Sequence, residues 1–308
     1  MRVRIGTRGS RLALVQAERT AAALREAGGE VEIVAIRTSG DRLAQVALGD
    51  LGGKALFVKE IEEALSAGEI DLGVHSLKDL PAALPAGLCL GGYPAREDPR
   101  DVLVTRTATD LAGLSPGAVV GTSSLRREVM LRAERPDLRV EPIRGNVDTR
   151  LRKLADGEFD ALVLAQAGLN RLGLRSAPTS LLPPETFVPA VGQGILGLEA
   201  RADDRRLLEL LRRLDHTETR IQARAERAFL LSLGADCRTP VAGWARTEGD
   251  AVVMIGVVAS RHGRMLRSAA RGPGAEAEAV GRRLADDLLR RGAGELLRGD
   301  SAAAGGRA

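Results

Sequence analysis

This sequence predicts an α/β fold of two similar lobes around a cleft, followed by a smaller α+β unit, and three observations carry that prediction. The first residues alternate strand and helix patterns in βαβ order. A strand followed by Gly-Thr and a helix start occurs twice, as IGTRGSRL from Ile5 and as VGTSSLRR from Val120. After Asp215 the pattern changes to a long amphipathic helix, then strands, then another helix, the order of an α+β unit.

Taken in order, VRI reads as a strand, Ser10 to Ala27 as a helix stopped by Gly28-Gly29, and VEIVAI as a second strand. A loop rich in Gly and Asp, from Thr38 to Gly53, precedes a helix at Val58 to Ser66. IDLGVH is then a buried strand ending at His75, with HSLKDLP as a loop at its carboxyl end, where ligands bind in open α/β sheets. The punctuated run YPAREDPRD, Tyr93 to Asp101, marks a hinge before the strand DVLVT. In the second lobe AVV leads into Gly121 and a helix, and RVEPI leads into Arg144, Gly145 and Asn146. That lobe ends near FVPAVGQG, and ILGLEA reads as a strand returning to the first lobe. A helix from Thr217 to Leu233, the loop GADCRTP, strands near VAGWA, VVMIGVVA and MLRSAA, and a helix to about Arg291 complete the third unit. The expected domains are therefore 1–94 with 195–213, 100–190, and 217–300, with a disordered tail at 301–308.

Composition narrows the function. A net charge of +4 set against 45 basic and 41 acidic residues permits a basic cleft but not a nucleic-acid surface, and 2% aromatic content argues against base stacking. MRVRIGTRGS has no apolar signal core and no apolar stretch is long enough to span a bilayer, so a cytoplasmic protein with no membrane partner is expected. Two distant cysteines suggest no disulfide framework, and three histidines away from ligand spacing suggest no metal.

The chemistry concentrates in a few segments. Two strand-to-helix turns gather Thr122, Ser123, Ser124, Arg126 and Arg127, then Arg144, Gly145 and Arg150, so backbone N–H groups, hydroxyls and guanidinium forks converge as in an anion site. The alternative is a pair of capped helices with solvated arginines. Lysine is rare, four against 41 arginines, yet Lys54, Lys59 and Lys78 fall within 25 residues, as if a compact ammonium were required there. Asp79, beside Lys78, could stabilise a developing positive charge or deliver a proton, or it could simply cap a loop. Cys237 in its polar turn is a nucleophile, an attachment point or a bystander, whereas Cys89 in GLCLGGY reads as a core residue.

The segments TRGSRLALVQA, TSGD, GGKALFVKEIEEAL, VHSLKDLP, REDPRDVLV, GTSSLRR, IRGNVDTRLRKL, AVGQGILGLE and ERAFLLSLGADCRTPVA resemble the porphobilinogen deaminase (hydroxymethylbilane synthase) family in order and spacing over nearly the whole chain. The resemblance implies two periplasmic-binding-protein-like lobes and a C-terminal domain carrying a cofactor cysteine. It implies a monomeric enzyme of tetrapyrrole biosynthesis that joins four porphobilinogen units head to tail with loss of ammonia, giving hydroxymethylbilane. Growth takes place on a dipyrromethane cofactor, itself made from substrate and held by a thioether to Cys237. Asp79 becomes the catalytic aspartate, which stabilises cationic pyrrole intermediates and assists proton transfers. Arg8, Ser10, Lys54, Lys78, Thr122, Ser123, Ser124, Arg126, Arg127, Arg144, Gly145, Arg150 and Gln193 become binders of cofactor and substrate carboxylates. Asp41 matches a further motif position, and Phe57 is expected to pack beside the rings.

Two departures stand out, Ala235-Asp236 where the family pattern has Gly-Gly, and Ala55 where it has glycine. Two rival readings share the architecture: a non-enzymatic two-lobed binder of small anions, and a cysteine hydrolase using Cys237 with His75. The first would need an export signal or a DNA-binding module, and the second lacks a residue to orient its base.

Overall fold

Strand β1 (Arg2–Arg8) opens the first lobe with Val3 and Ile5 fully buried, and helix α1 (Arg11–Glu26) covers it through Ala17, Ala21 and Leu24, spaced to fall on one helical face. This computed structural model describes residues 1–38, 58–174, 179–235 and 239–298. Strand β2 (Glu30–Ile36) lies parallel to β1. After α2 (Lys59–Ser66), strand β3 (Leu72–Ser76) lies parallel to β1 on its other side, and β4 (Leu88–Gly92) stands at the far edge.

The second lobe contains β5 (Asp101–Thr105), β6 (Val119–Gly121), α3 (Leu125–Glu134), β7 (Arg139–Glu141), α4 (Val147–Ala155), β8 (Ala161–Ala165), α5 (Gln166–Leu172) and β9 (Thr179–Leu181). The chain then returns: β10 (Leu196–Arg201) enters the first sheet antiparallel, between β3 and β4. The two five-stranded sheets share one plan, β2-β1-β3-β10-β4 and β7-β6-β8-β5-β9, each with a single antiparallel strand in the fourth position. The repeated Gly-Thr thus falls on corresponding strands. A Cβ on Gly6 would lie 2.2 Å from Ile70, and one on Gly121 would lie 2.6 Å from Leu162, so close packing demands glycine at both.

The third unit follows α6 (Arg205–Leu211). Helices α7 (Thr217–Leu233) and α8 (Ala277–Arg290) cover an antiparallel sheet of β11 (Val241–Glu248), β12 (Ala251–Ala259) and β13 (Met265–Pro273), with Phe229 buried at the centre. Ala235, the first residue of the Ala235-Asp236 departure, packs its methyl group into this core. Asp236, Ala55 and the 301–308 tail lie outside the described residues.

Some local expectations change. The HSLKDLP loop winds a 3-10 turn at Leu77–Asp79. The RVEPI strand stops at Glu141, before a proline that has no N–H to offer the ladder. Cys89 is half-buried rather than a core residue because β4 is an edge strand, and burial, then the Glu199 charge, pushes its thiol pKa up.

Candidate active site

Asp79 sits in the turn that follows β3, at the carboxyl end of the first sheet. It lines a cavity of about 70 Å³ together with Arg8, Ser10, Gln16, His75 and Ser76. Arg8 arrives because β1 runs parallel beside β3, so both strands end on the same side. Ser10 caps α1, its hydroxyl accepting from the Ala13 N–H at 3.3 Å, which aims the helix N-terminus into the cavity. Gln16, two turns into α1 and almost fully buried, donates from Nε2 to Ser76 Oγ at 3.0 Å. Neither Gln16 nor Ser76 was singled out by sequence. The available signal was the spacing of Gln16 from Leu12 and Ala13, four and three residues along one helical face.

His75 is committed elsewhere. Its Nε2 lies 3.0 Å from Glu199 Oε2 of β10, with both side chains buried, in a close approach rather than an aligned hydrogen bond. A histidine turned toward a buried glutamate is not presented as a free general base, which weighs against the hydrolase reading.

Across the cleft, the second lobe presents its two turns. Ser123 Oγ donates to the Ile143 carbonyl at 2.6 Å and accepts from the Ile143 N–H, tying one turn to the other. Thr122 is buried and accepts from the Ser124 N–H, while Ser124 and Asn146 cap α3 and α4. Arg144 and Gly145 are exposed. Arg150 donates through Nε to the Gly145 carbonyl at 2.8 Å and forms no ion pair among the described residues. Burial, then repulsion from Arg127, lowers its pKa, and no carboxylate among the described residues pairs with this guanidinium. The lobes meet at the Arg11–Asp148 pair, 2.8 Å, between the first turns of α1 and α4.

Three residues expected to bind ligand make internal contacts in the protein. Arg126 Nη1 donates to Asp101 Oδ2 at 2.7 Å and to the Val188 carbonyl. Arg127 donates from Nε and Nη2 to Asp101 Oδ1 and from Nη1 to the Val163 carbonyl. Burial alone would raise the Asp101 pKa, but the two guanidinium groups override it and hold the carboxyl well below its usual range. Gln193 is 1% exposed, and its amide is used by Pro99, Asp101 and Lys78. The physical reason is common to all three: Asp101, a buried carboxylate at the start of β5, requires neutralisation within hydrogen-bond reach. Lys54, Asp41, Phe57 and Cys237 lie outside the described residues.

A larger cavity, about 480 Å³, lies behind the lobe junction. Its arginines, Arg19, Arg171 and Arg213, donate to backbone carbonyls, and Glu26 and Glu97 share its wall.

Comparison with known proteins bears on this cleft. A family model described as porphobilinogen deaminase, dipyromethane cofactor binding domain, matches residues 3–209, and the C-terminal domain of the same family matches 220–290. Porphobilinogen deaminase of Roseiflexus sp. is 51% identical over 96% of this chain and 98% of its own length. The proteins of that name from Syntrophobacter fumaroxidans and Desulforudis audaxviator are 48% and 51% identical over 96% and 95% of this chain, and 96% of their own lengths in each case. Among solved structures, an ancestral cationic amino acid solute binding protein aligns at 16% identity and TM-score 0.44, covering 69% of this chain and 87% of that one. The described helices include none long and apolar enough to cross a membrane. This chain therefore belongs to the porphobilinogen deaminase family, enzymes of tetrapyrrole biosynthesis that work with a dipyrromethane cofactor to build hydroxymethylbilane from four porphobilinogen units.

Proposed function

We propose that Asp79 is the catalytic residue of this deaminase, that the cleft binds pyrrole carboxylates between Arg8, Ser10 and Lys78 on one side and Thr122, Ser123, Ser124, Arg144, Gly145 and Arg150 on the other, and that Lys54 is a further binder. The observation that carries the reading is the cavity shared by Asp79, Arg8 and Ser10 where β1 and β3 end together. Cys237 is the proposed attachment point of the dipyrromethane, on the loop following α7. Arg150, which pairs with no carboxylate among the described residues, supports a cofactor rich in carboxylates, because a partly desolvated guanidinium gains most from a bidentate anion.

When bound, the dipyrromethane supplies the pyrrole carbon to which substrate is joined. The chain's own residues do the rest. Arg8 and Lys78 hold the acetate and propionate of porphobilinogen, and the α1 N-terminus at Ser10 adds oriented N–H groups. Asp79 offsets the positive charge that builds on the substrate pyrrole as its aminomethyl C–N bond breaks and ammonia leaves. Such a preorganised charge is worth about 3 kcal/mol of barrier. The protein is proposed to act as a cytoplasmic monomer with domains at 1–94 with 195–213, 100–190 and 217–300, a reading supported by the family resemblance.

Asp79→Asn tests the assignment. The expected result is a folded variant carrying cofactor by intact mass, with turnover down by about 100-fold or more. Near-normal turnover in the cofactor-loaded variant would remove Asp79 from this role.

A further inference from the structure

The inward-facing amide of Gln193 occupies an unusual place. It stands on the segment that returns from the second lobe to the first, and it contacts both. Nε2 donates to Asp101 Oδ1 at 2.9 Å and to the Pro99 carbonyl at 2.8 Å, both at the entry to the second lobe. Oε1 accepts from Lys78 Nζ at 3.3 Å, in the turn that carries Asp79. The backbone is fixed just as closely: Gln193 O accepts from Arg96 Nε at 3.0 Å, and Arg96 Nη1 donates to Glu226 Oε1 of α7 at 2.7 Å. Next to it, a Cβ on Gly192 would lie 2.9 Å from the Lys78 nitrogen, so the segment runs directly against the turn.

Asp101 in turn holds Arg126 and Arg127, which belong to the first turn of α3, directly after Ser123 and Ser124. One buried carboxamide therefore joins the ammonium preceding Asp79 to the carboxylate that fixes the anion-binding turn of the opposite lobe. The chemistry of an amide suits this place. It offers an acceptor to the lysine and donors to the aspartate at once, with no net charge of its own, which a carboxylate or an ammonium could not do.

We propose that Gln193 is a positioning residue that holds Lys78 in register with the second lobe, so that the lysine meets a substrate carboxylate while Asp79 meets the reacting carbon. It touches no ligand itself and acts through Lys78. The inference rests on the reading of Lys78 and Asp79 as cleft residues.

Gln193→Met keeps the length and removes the hydrogen-bonding head, whereas Gln193→Glu keeps an oxygen facing Lys78 and loses the donors. The methionine variant is expected to carry cofactor by intact mass and to show a porphobilinogen KM raised about tenfold or more, with a smaller loss in kcat. The glutamate variant is expected to bring KM back within about threefold of wild type, although repulsion from Asp101 lowers its melting temperature. A residue that only fills space would shift melting temperature without this KM recovery. Wild-type KM in the methionine variant, or equal KM defects in both variants, overturns the proposal. If the methionine variant does not fold, Gln193→Asn, one methylene short of Lys78, takes its place, and a wild-type KM there likewise overturns it. Lys78→Met reports separately on the site: if it leaves KM unchanged, the cleft assignment fails, and if it raises KM while the Gln193 variants do not, only the positioning role fails.

Discussion

At the residue scale, Asp101 shows how a buried charge reorganises what the sequence suggests. Arg126 and Arg127 lie in a run that looks made for an external anion, yet the carboxylate they meet is internal and 25 and 26 residues away in the chain. Removing it should leave two buried guanidinium groups uncompensated. Asp101→Asn is therefore expected to destabilise the fold by about 3 to 5 kcal/mol at pH 7, read by denaturant unfolding. Because folding depresses this pKa, the stabilisation is fully present above the ordinary aspartate value of 3.8 and is lost as pH falls below it. The Asn variant should thus lose less, relative to wild type, in strong acid. A second outcome concerns the cysteines. Freshly purified protein should exceed its sequence mass by two linked substrate units. Cys237→Ser should abolish that excess and Cys89→Ser should keep it, so an excess that follows Cys89 would refute the attachment site. Arg8, Ser10 and Asp79 were legible in sequence because motif and strand end coincide. The inward turn of Arg126, Arg127 and Gln193 was not, since it depends on a partner that only the tertiary fold supplies.

At the element scale, helix starts were legible where a side chain caps them. Ser10, Ser124 and Asn146 each accept from an N–H three residues on, and their helices begin within a residue of the expected position. Helix α5 begins directly after β8 with no side-chain cap and spans only seven residues, so it left no comparable signal. Ser124→Ala should cost about 1 kcal/mol of stability. Helix α2 offers a test of opposite sign in pH. Burial first, then the Glu199 charge, raises the Glu62 pKa to about 7, while the unfolded chain releases that proton near 4.5. The folded form binds the extra proton between these values, so stability falls as pH rises through that window. Glu62→Gln should flatten the decline, and unfolding curves at pH 5 and pH 8 that still diverge as in wild type would contradict it.

At the scale of the whole molecule, Glu226 is the junction. Fully buried in α7, it accepts from Arg96, from the Gly192 N–H and from the Ala245 N–H, which ties the third unit to both segments running between the lobes. Glu226→Ala should strand these donors and lower stability by more than Arg11→Ala. The Arg11–Asp148 pair spans the lobes in solvent, where such contacts contribute about 0 to 1 kcal/mol. Comparing the two melting temperatures checks this ranking. The likeness of the two lobes was anticipated from one short repeated match, but their shared strand order was not. The placement of β10 has a further consequence, which concerns the order in which the chain leaves the ribosome. Among the described strands β4 pairs only with β10, and β3 gains its second neighbour from β10, so the first lobe waits half-built until residues 196–201 emerge. The second lobe, from β5 to β9, is continuous in the chain and can close first. Nascent chains arrested with residue 190 outside the exit tunnel should resist protease across 101–181 while being nicked before residue 93, reversing the usual expectation that the N-terminal part of a protein matures first.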